Sequence, residues 1–337
     1  MNRIFGENLK NIRVVVLGTI NIDHFAYVER IPDVGESIGD ASYYRDYGGK
    51  GLNISIALRR LGFQVSLIGC VGKDFYGKEI LDFLKKEDVD VSNIKIVDSD
   101  SGIAFIIVQR DGRKAIISVP GANYFIDPND IDHILSSMEN YDMLIATLGT
   151  NLEAVKRALE ISKKRNIETL LVPSPLRKVS REFLEDIVML SDIIILNEVE
   201  FRRIFVNTSQ ISLNKDPSRI IGESRILNTK TVVVTRSELG ALIYSRGVVY
   251  EIPSYKNNKS IIDTTGAGDA FTAGFIYGYL CIRDLVIAGV LGSINASLKI
   301  SRKGSSSAMP YINELLNFLE LLNKKTISDI LSQRKCI

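Results

Sequence analysis

Tryptophan is absent from the 337 residues, and only two histidines occur, His24 and His133. So few imidazoles exclude a His-rich zinc site and most His-based triads. Acid–base chemistry must therefore rest on Asp, Glu, Lys or Cys. Cysteine is scarce too: Cys70, Cys281 and Cys336 are odd in number and scattered. That argues against a disulfide framework and fits a reducing cytoplasm. The longest apolar runs reach about 13 residues, too short to cross a bilayer. Met1–Asn11 carries Glu7 and Lys10 and no apolar stretch, so it does not read as a secretory signal. One-signed charge is also missing. The net charge is only +2, with both signs interspersed, and no basic arm or stripe suggests nucleic acid. A cytoplasmic protein with neither a membrane nor a nucleic acid as partner is expected.

What is present is alternation. Hydrophobic residues make up 45% and charged residues 24%, a balance that suits a globular fold and excludes a disordered chain. Short β-branched runs recur at Arg13–Leu17, Val65–Val71, Asp142–Thr147, Glu168–Val172, Asp192–Leu196 and Thr231–Thr235. Several are almost wholly apolar, the mark of strands covered on both faces. Amphipathic stretches lie between them at Gly51–Leu61, Gly77–Glu87, Leu152–Arg165 and Pro217–Asn228. This order predicts an α/β fold with a doubly wound, mostly parallel sheet flanked by helices. Phe25–Tyr47 and Gly102–Val119 lack helical periodicity and read as extra antiparallel strands, the second a hairpin about Asp111-Gly112. They are expected to form a small β-sheet lid, residues about 24–48 and 102–121, on a single domain spanning 1–337. Plain edge decoration is the alternative. From Asp263 the chain reads as helical, in Ala267–Cys281, Asp284–Ile300 and Tyr311–Asn323, before a polar tail.

The sharpest motif is Asp263-Thr264-Thr265-Gly266-Ala267-Gly268-Asp269. Small residues bring bare backbone to a helix start, where unpaired N–H groups and the dipole favour phosphate. Asp269 in the first turn could reach a substrate hydroxyl held beside that anion site, or could merely stabilise the helix. Gly48-Gly49-Lys50-Gly51-Leu52-Asn53 opens another helix. Its glycines let a ligand approach the backbone, and the Asn53 amide both donates and accepts, as polyol recognition requires. A glycine-rich helix cap would look the same. Gly18-Thr19-Ile20-Asn21-Ile22-Asp23 follows the first strand, where open α/β sheets bind ligands. An Asx-rich turn is the plainer reading. Asn197 and Glu200 follow another strand and could hold Mg²⁺ through water, or cap a helix.

Together, in this order and at this separation, the two glycine motifs resemble the signatures of the ribokinase (PfkB) family of carbohydrate kinases, and the match runs from about Arg13 to Pro310. Gly121-Ala122-Asn123 and Arg302-Lys303-Gly304 fit the same family. The resemblance implies an ATP-dependent kinase that phosphorylates a hydroxymethyl group of a small sugar, ribose-like, or alternatively of a nucleoside. Asp269 would be the base. The N–H groups of Gly266, Ala267 and Gly268 would form an anion hole. Asn21, Asp23, Gly48, Gly49, Lys50 and Asn53 would hold the acceptor. Asn197, Thr235, Ser237, Gly240 and Gly268 would hold the nucleotide. Glu200 would organise Mg²⁺, and Asp263, the Thr265 carbonyl and main chain near Gly304 would bind K⁺. A homodimer formed through the lid is expected.

The chain departs from the family pattern in three places. An acidic residue that usually binds the sugar is replaced in Thr147-Leu148-Gly149, which predicts either weaker discrimination at that sugar hydroxyl or room for a bulkier acceptor such as a nucleoside. Ser237 stands where glycine is usual, and Val172 precedes Pro173 where a polar residue is common. A silent sugar-binding regulator is opposed by the intact Asp269 motif. A Rossmann oxidoreductase is opposed by the absence of G-x-G-x-x-G after the first strand.

Overall fold

In the computed structural model, residues 11–176, 179–205, 230–257 and 259–321 are described. The first half runs β1 (Arg13–Leu17), β2 (Asn21–Val28), β3 (Ser42–Gly48), α1 (Lys50–Arg60), β4 (Gln64–Gly72), α2 (Phe75–Lys86), β5 (Ile94–Val97), β6 (Gly102–Gln109), β7 (Lys114–Val119), α3 (Pro128–Ser137), β8 (Met143–Thr147) and α4 (Leu152–Lys164). The second runs β9 (Glu168–Val172), α5 (Arg181–Leu190), β10 (Ile193–Asn197), α6 (Glu198–Phe205), β11 (Thr231–Thr235), β12 (Ala241–Ser245), β13 (Val248–Ile252), α7 (Ala267–Ile282), α8 (Leu285–Ile300) and α9 (Ile312–Leu321).

Nine strands form one sheet in the order β13-β12-β11-β10-β9-β8-β1-β4-β5. Pairing is parallel from β5 to β11 and antiparallel only at β12 and β13. The apolar runs are continuous because both faces are buried. Val14, Val16, Ile145 and Val233 pack towards α1, α7 and α8. Val15, Leu17, Leu144 and Val234 pack towards α3, α4, α5 and α6. Local chemistry starts the helices: Asp74 accepts from Gly77 N at the head of α2, and Asp127 and Asp130 form a capping box behind Pro128 at the head of α3. Gly274 and Gly278 of α7 lie directly against the backbone of α8, so the small-residue repeat is a packing seam.

A separate four-stranded sheet has the order β3-β2-β6-β7. Phe25, Ala104, Ile106 and Val108 fill its inner face with Tyr27 and Tyr44. The β6–β7 hairpin turns at Asp111-Gly112, but β2 pairs with β6 in parallel. The expectation of antiparallel strands throughout is corrected there, because a long excursion through the main sheet separates the two. The hairpin β12–β13 and helices α3 and α5 have no counterpart in the sequence reading. The helix read at Pro217–Asn228 and the tail after Leu321 lie outside the described residues. Among the described residues, no helix is long and apolar enough to cross a membrane.

Candidate active site

β1 lies between β4 and β8, so the sheet changes its direction of winding at the carboxyl end of β1. Crevices at such points bind ligands. The chain leaves β1 through Gly18-Thr19-Ile20 and enters β2, where Asn21 pairs with both Gly48 and Gly102. The small sheet therefore springs from the switch point. Asn123 fixes this exit: its amide accepts from Ile20 N at 2.7 Å and donates to Asn21 Oδ1 at 2.8 Å.

α1 begins against the same exit. Gly49 has φ 88°, and a Cβ there would stand 2.5 Å from Thr19 O. Only glycine combines that backbone with so close an approach. Thr19 then serves as the cap that Gly49 lacks, its hydroxyl accepting from Lys50 N at 2.9 Å and its carbonyl from Leu52 N at 3.2 Å. This aims the side chains of Lys50 and Asn53 at the head of α7. Asn53 Nδ2 donates to Asp269 Oδ2 at 2.8 Å, and Lys50 Nζ reaches Asp269 Oδ1 at 3.3 Å. Burial opposes the Lys50 charge, but the carboxylates of Asp269 and Glu200 outweigh it and raise its pKa. The two sequence motifs, more than 200 residues apart, thus converge on one buried carboxylate.

Gly266 caps α7 and Asp269 occupies its first turn. Of the three expected anion-hole donors, Ala267 N closes a turn on Thr264 O at 3.2 Å. Gly266 and Gly268 N–H donate to no described protein acceptor, and a Cβ on Gly268 would meet open space. Asp263 lies behind this loop, fully buried. It accepts from Thr265 N (2.8 Å), the Tyr27 hydroxyl (2.9 Å) and Gly304 N (3.2 Å), and its own carbonyl accepts from Lys299 Nζ at 3.0 Å. Burial pushes Lys299 down to about 8 against the pull of Asp263. Burial likewise pushes Lys114, reaching in from β7, down to about 8, with Asp263 opposing the shift.

On the acceptor side, Asp23 is buried and bonded to the Ser305 hydroxyl. Burial foremost, then the neighbouring Asp46, Asp269 and Asp263, lifts its pKa to about 7 despite that bond. Asp46 joins β3 to the loop after α8, accepting from Ser305 N (2.7 Å) and the Ser307 hydroxyl (2.8 Å). Asp46, Ser305, Lys114 and Lys299 were not legible as site residues. They are single residues on separate elements and form no motif. Asn197 and Glu200 reciprocally cap α6, each backbone N–H meeting the other's side chain at 2.9 Å. Thr235 ends β11, and Ser237 (φ 51°) and Gly240 (φ 84°) turn the chain into β12. Of these residues, Glu200 is near enough to act on Lys50, and so faces the Asp269 cluster from the head of α6.

Gly149 packs closely. A Cβ would lie 2.3 Å from Thr19 Cγ2 and 3.3 Å from Pro175 Cδ. Thr147 Oγ1 is buried and makes no hydrogen bond. A side chain at position 149 would therefore displace Thr19.

Among the described residues no group of three or more His, Cys, Asp or Glu could hold a metal by itself, so a Mg²⁺ ion here would be held chiefly by nucleotide phosphates and water, with Glu200 able to reach it only through water. The expected potassium set does not fit in the same way. The Asp263 carboxylate is engaged by three donors, and a lysine ammonium already rests on its carbonyl.

A doubly wound sheet with a carboxylate set at a helix N-terminus beside free N–H groups suits phosphoryl transfer. Residues 11–312 match the model of the pfkB family carbohydrate kinases. Ribokinase of Haemophilus influenzae is 30% identical over 91% of this chain and 98% of its own. Ribokinase of Cryptococcus neoformans, solved with ADP, superposes with TM-score 0.80 at 25% identity over 91% of this chain and all of that one. The nucleoside kinase of Methanocaldococcus jannaschii gives TM-score 0.73 at 25% identity over 93% and 99%. The chain belongs to the pfkB family of carbohydrate kinases. It is a sugar or nucleoside kinase, a phosphotransferase with an alcohol group as acceptor.

Proposed function

We propose that the chain transfers the γ-phosphate of ATP to the primary hydroxyl of a small free sugar, ribose-like. The observation that carries this reading is the convergence of Lys50 and Asn53 on Asp269 beside the free Gly266 and Gly268 N–H groups. Asp269 takes the proton of the acceptor hydroxyl as it attacks. Lys50 and Asn53 hold the carboxylate in line. The free N–H groups stabilise charge growing on the transferred group, a preorganised electrostatic contribution. Asp23 and Asn21 bind the remaining hydroxyls. The turn from Thr235 to Gly240 and the head of α6 receive the nucleotide, and Mg²⁺ held near Glu200 neutralises its phosphates. Closure of the small sheet as a lid keeps water from the phosphoryl group. The 30% identity to a ribokinase supports the free-sugar acceptor. Likeness to a nucleoside kinase supports the second reading, a nucleoside acceptor.

Asp269→Asn should keep the fold and acceptor binding and lower kcat by roughly 10²–10⁴-fold, the loss typical of a general base. Wild-type kcat/KM measured for ribose, deoxyribose, fructose, adenosine and cytidine should be highest for ribose. Near-normal turnover by the variant would overturn the role of Asp269. A nucleoside preference would overturn the acceptor alone.

A further inference from the structure

Lys299 is the most deeply buried cationic side chain beside the site. It rises from the last turn of α8 and is 0% exposed. Its ammonium makes one described hydrogen bond, to the carbonyl of Asp263 at 3.0 Å. Among the described residues no carboxylate lies within ion-pair distance of it, and its Cε is 3.7 Å from where a Cβ on Gly266 would stand. The charge therefore sits directly behind the loop that carries the free Gly266 and Gly268 N–H groups. A buried ammonium without a paired anion is costly, and here the carboxylates of Asp263, Asp46 and Asp269 act against that cost without pairing directly with it. The Asp263 carboxylate, meanwhile, is occupied by Thr265 N, the Tyr27 hydroxyl and Gly304 N. It is oriented by donors and offers little to a metal.

We propose that the Lys299 ammonium is a built-in monovalent cation, standing where a potassium ion would otherwise charge the anion hole, so that the enzyme needs no added monovalent ion. Its single positive charge equals that of potassium. It is held on the same loop, adds positive potential behind Gly266 and Gly268, and stabilises negative charge on the transferring group. Lys114 from β7 adds to the same field, and Asp263, Asp269 and Asp46 oppose it. The inference rests on reading Gly266–Gly268 as the phosphoryl site.

The test compares KCl, NaCl and choline chloride at equal ionic strength, recording both the phosphorylation rate and the melting temperature. Wild-type rates should agree within about twofold and the melting temperature should show no potassium-specific rise, while Lys299→Met should lose roughly 10²-fold in choline, the scale of one lost oxyanion donor. Potassium should restore part of that loss and raise the melting temperature of the variant. Lys299→Gln serves if the methionine variant does not fold. Wild-type activation of several-fold by potassium, a potassium-specific rise in wild-type melting temperature, or a folded variant with full activity in choline would each overturn the proposal. If no acceptor is phosphorylated, the acceptor reading has failed, and the melting arm still decides whether an ion binds beside Lys299.

Discussion

Asp23 is an aspartate whose surroundings keep it protonated close to neutrality. Burial is the main cause, and Asp46, Asp269 and Asp263 add like charge, while the bond from the Ser305 hydroxyl and the charge of Lys114 act the other way. Its folded pKa, about 7, is above its ordinary value of 3.8. Below both values the carboxyl is protonated in either state, and between them only the unfolded chain releases the proton. The contribution of Asp23 to stability is therefore lost as pH rises from about 4 to about 7. Binding runs the other way, because the carboxylate present above about 7 accepts a stronger, charge-assisted bond from a sugar hydroxyl. Acceptor KM should fall as pH rises through 7, and Asp23→Asn should flatten that profile while nucleotide KM keeps its own. A variant profile that retains the inflection would assign it to another group. Asp23 and Asp269 were legible because each lies in a short motif with a stated chemistry. Lys299 was not, because nothing in Ser297-Leu298-Lys299-Ile300 marks that lysine as buried until α8 is packed against α7.

At the scale of elements, strands were legible where both faces are covered. Arg13–Leu17, Glu168–Val172 and Thr231–Thr235 occupy the ranges their apolar runs mark out. α5 and the β12–β13 hairpin were not, because Arg181–Leu190 is short and the Arg246-Gly247 turn separates strands that do not alternate cleanly. The β11–β12 turn shows what a departure from the family pattern means physically. Ser237 stands where the family has glycine, yet its φ is 51°, the left-handed backbone glycine adopts without cost. A side chain there carries a penalty of about 1–2 kcal/mol, partly offset by the flexibility glycine would add to the unfolded chain. Ser237→Gly should therefore stabilise the protein by up to about 1 kcal/mol, raising the melting temperature by roughly 1–3 °C. A lower melting temperature would mean that the serine hydroxyl contributes more than its backbone costs.

At the scale of the whole molecule, the small sheet presents an outer face that none of the described residues covers. His24 stacks on Tyr43 and Phe105, with ring centroids 6.0 and 5.6 Å away, and Phe105 is paired with Ile117 across the β6–β7 ladder. Tyr43 is 67% and Ile117 64% exposed, and β7 is an edge strand. An apolar stripe ending at an open edge is a site for association, and a second copy of the same surface can cover both through two-fold symmetry. We propose a homodimer through this sheet. Light scattering at micromolar concentration should give twice the 37.5 kDa chain mass, and Ile117→Lys should halve it. Asp23 lies on β2 of that sheet, with β6 between it and β7, so separating the copies should also loosen the acceptor side of the cleft. Acceptor KM should rise in Ile117→Lys, while nucleotide KM, set on β11 and α6, stays within about twofold, since distant sites act independently. A wild-type protein that scatters as a monomer would dismiss the dimer. A dimer unaffected by Ile117→Lys would move the contact elsewhere. Equal changes in both KM values would detach the association from the acceptor site.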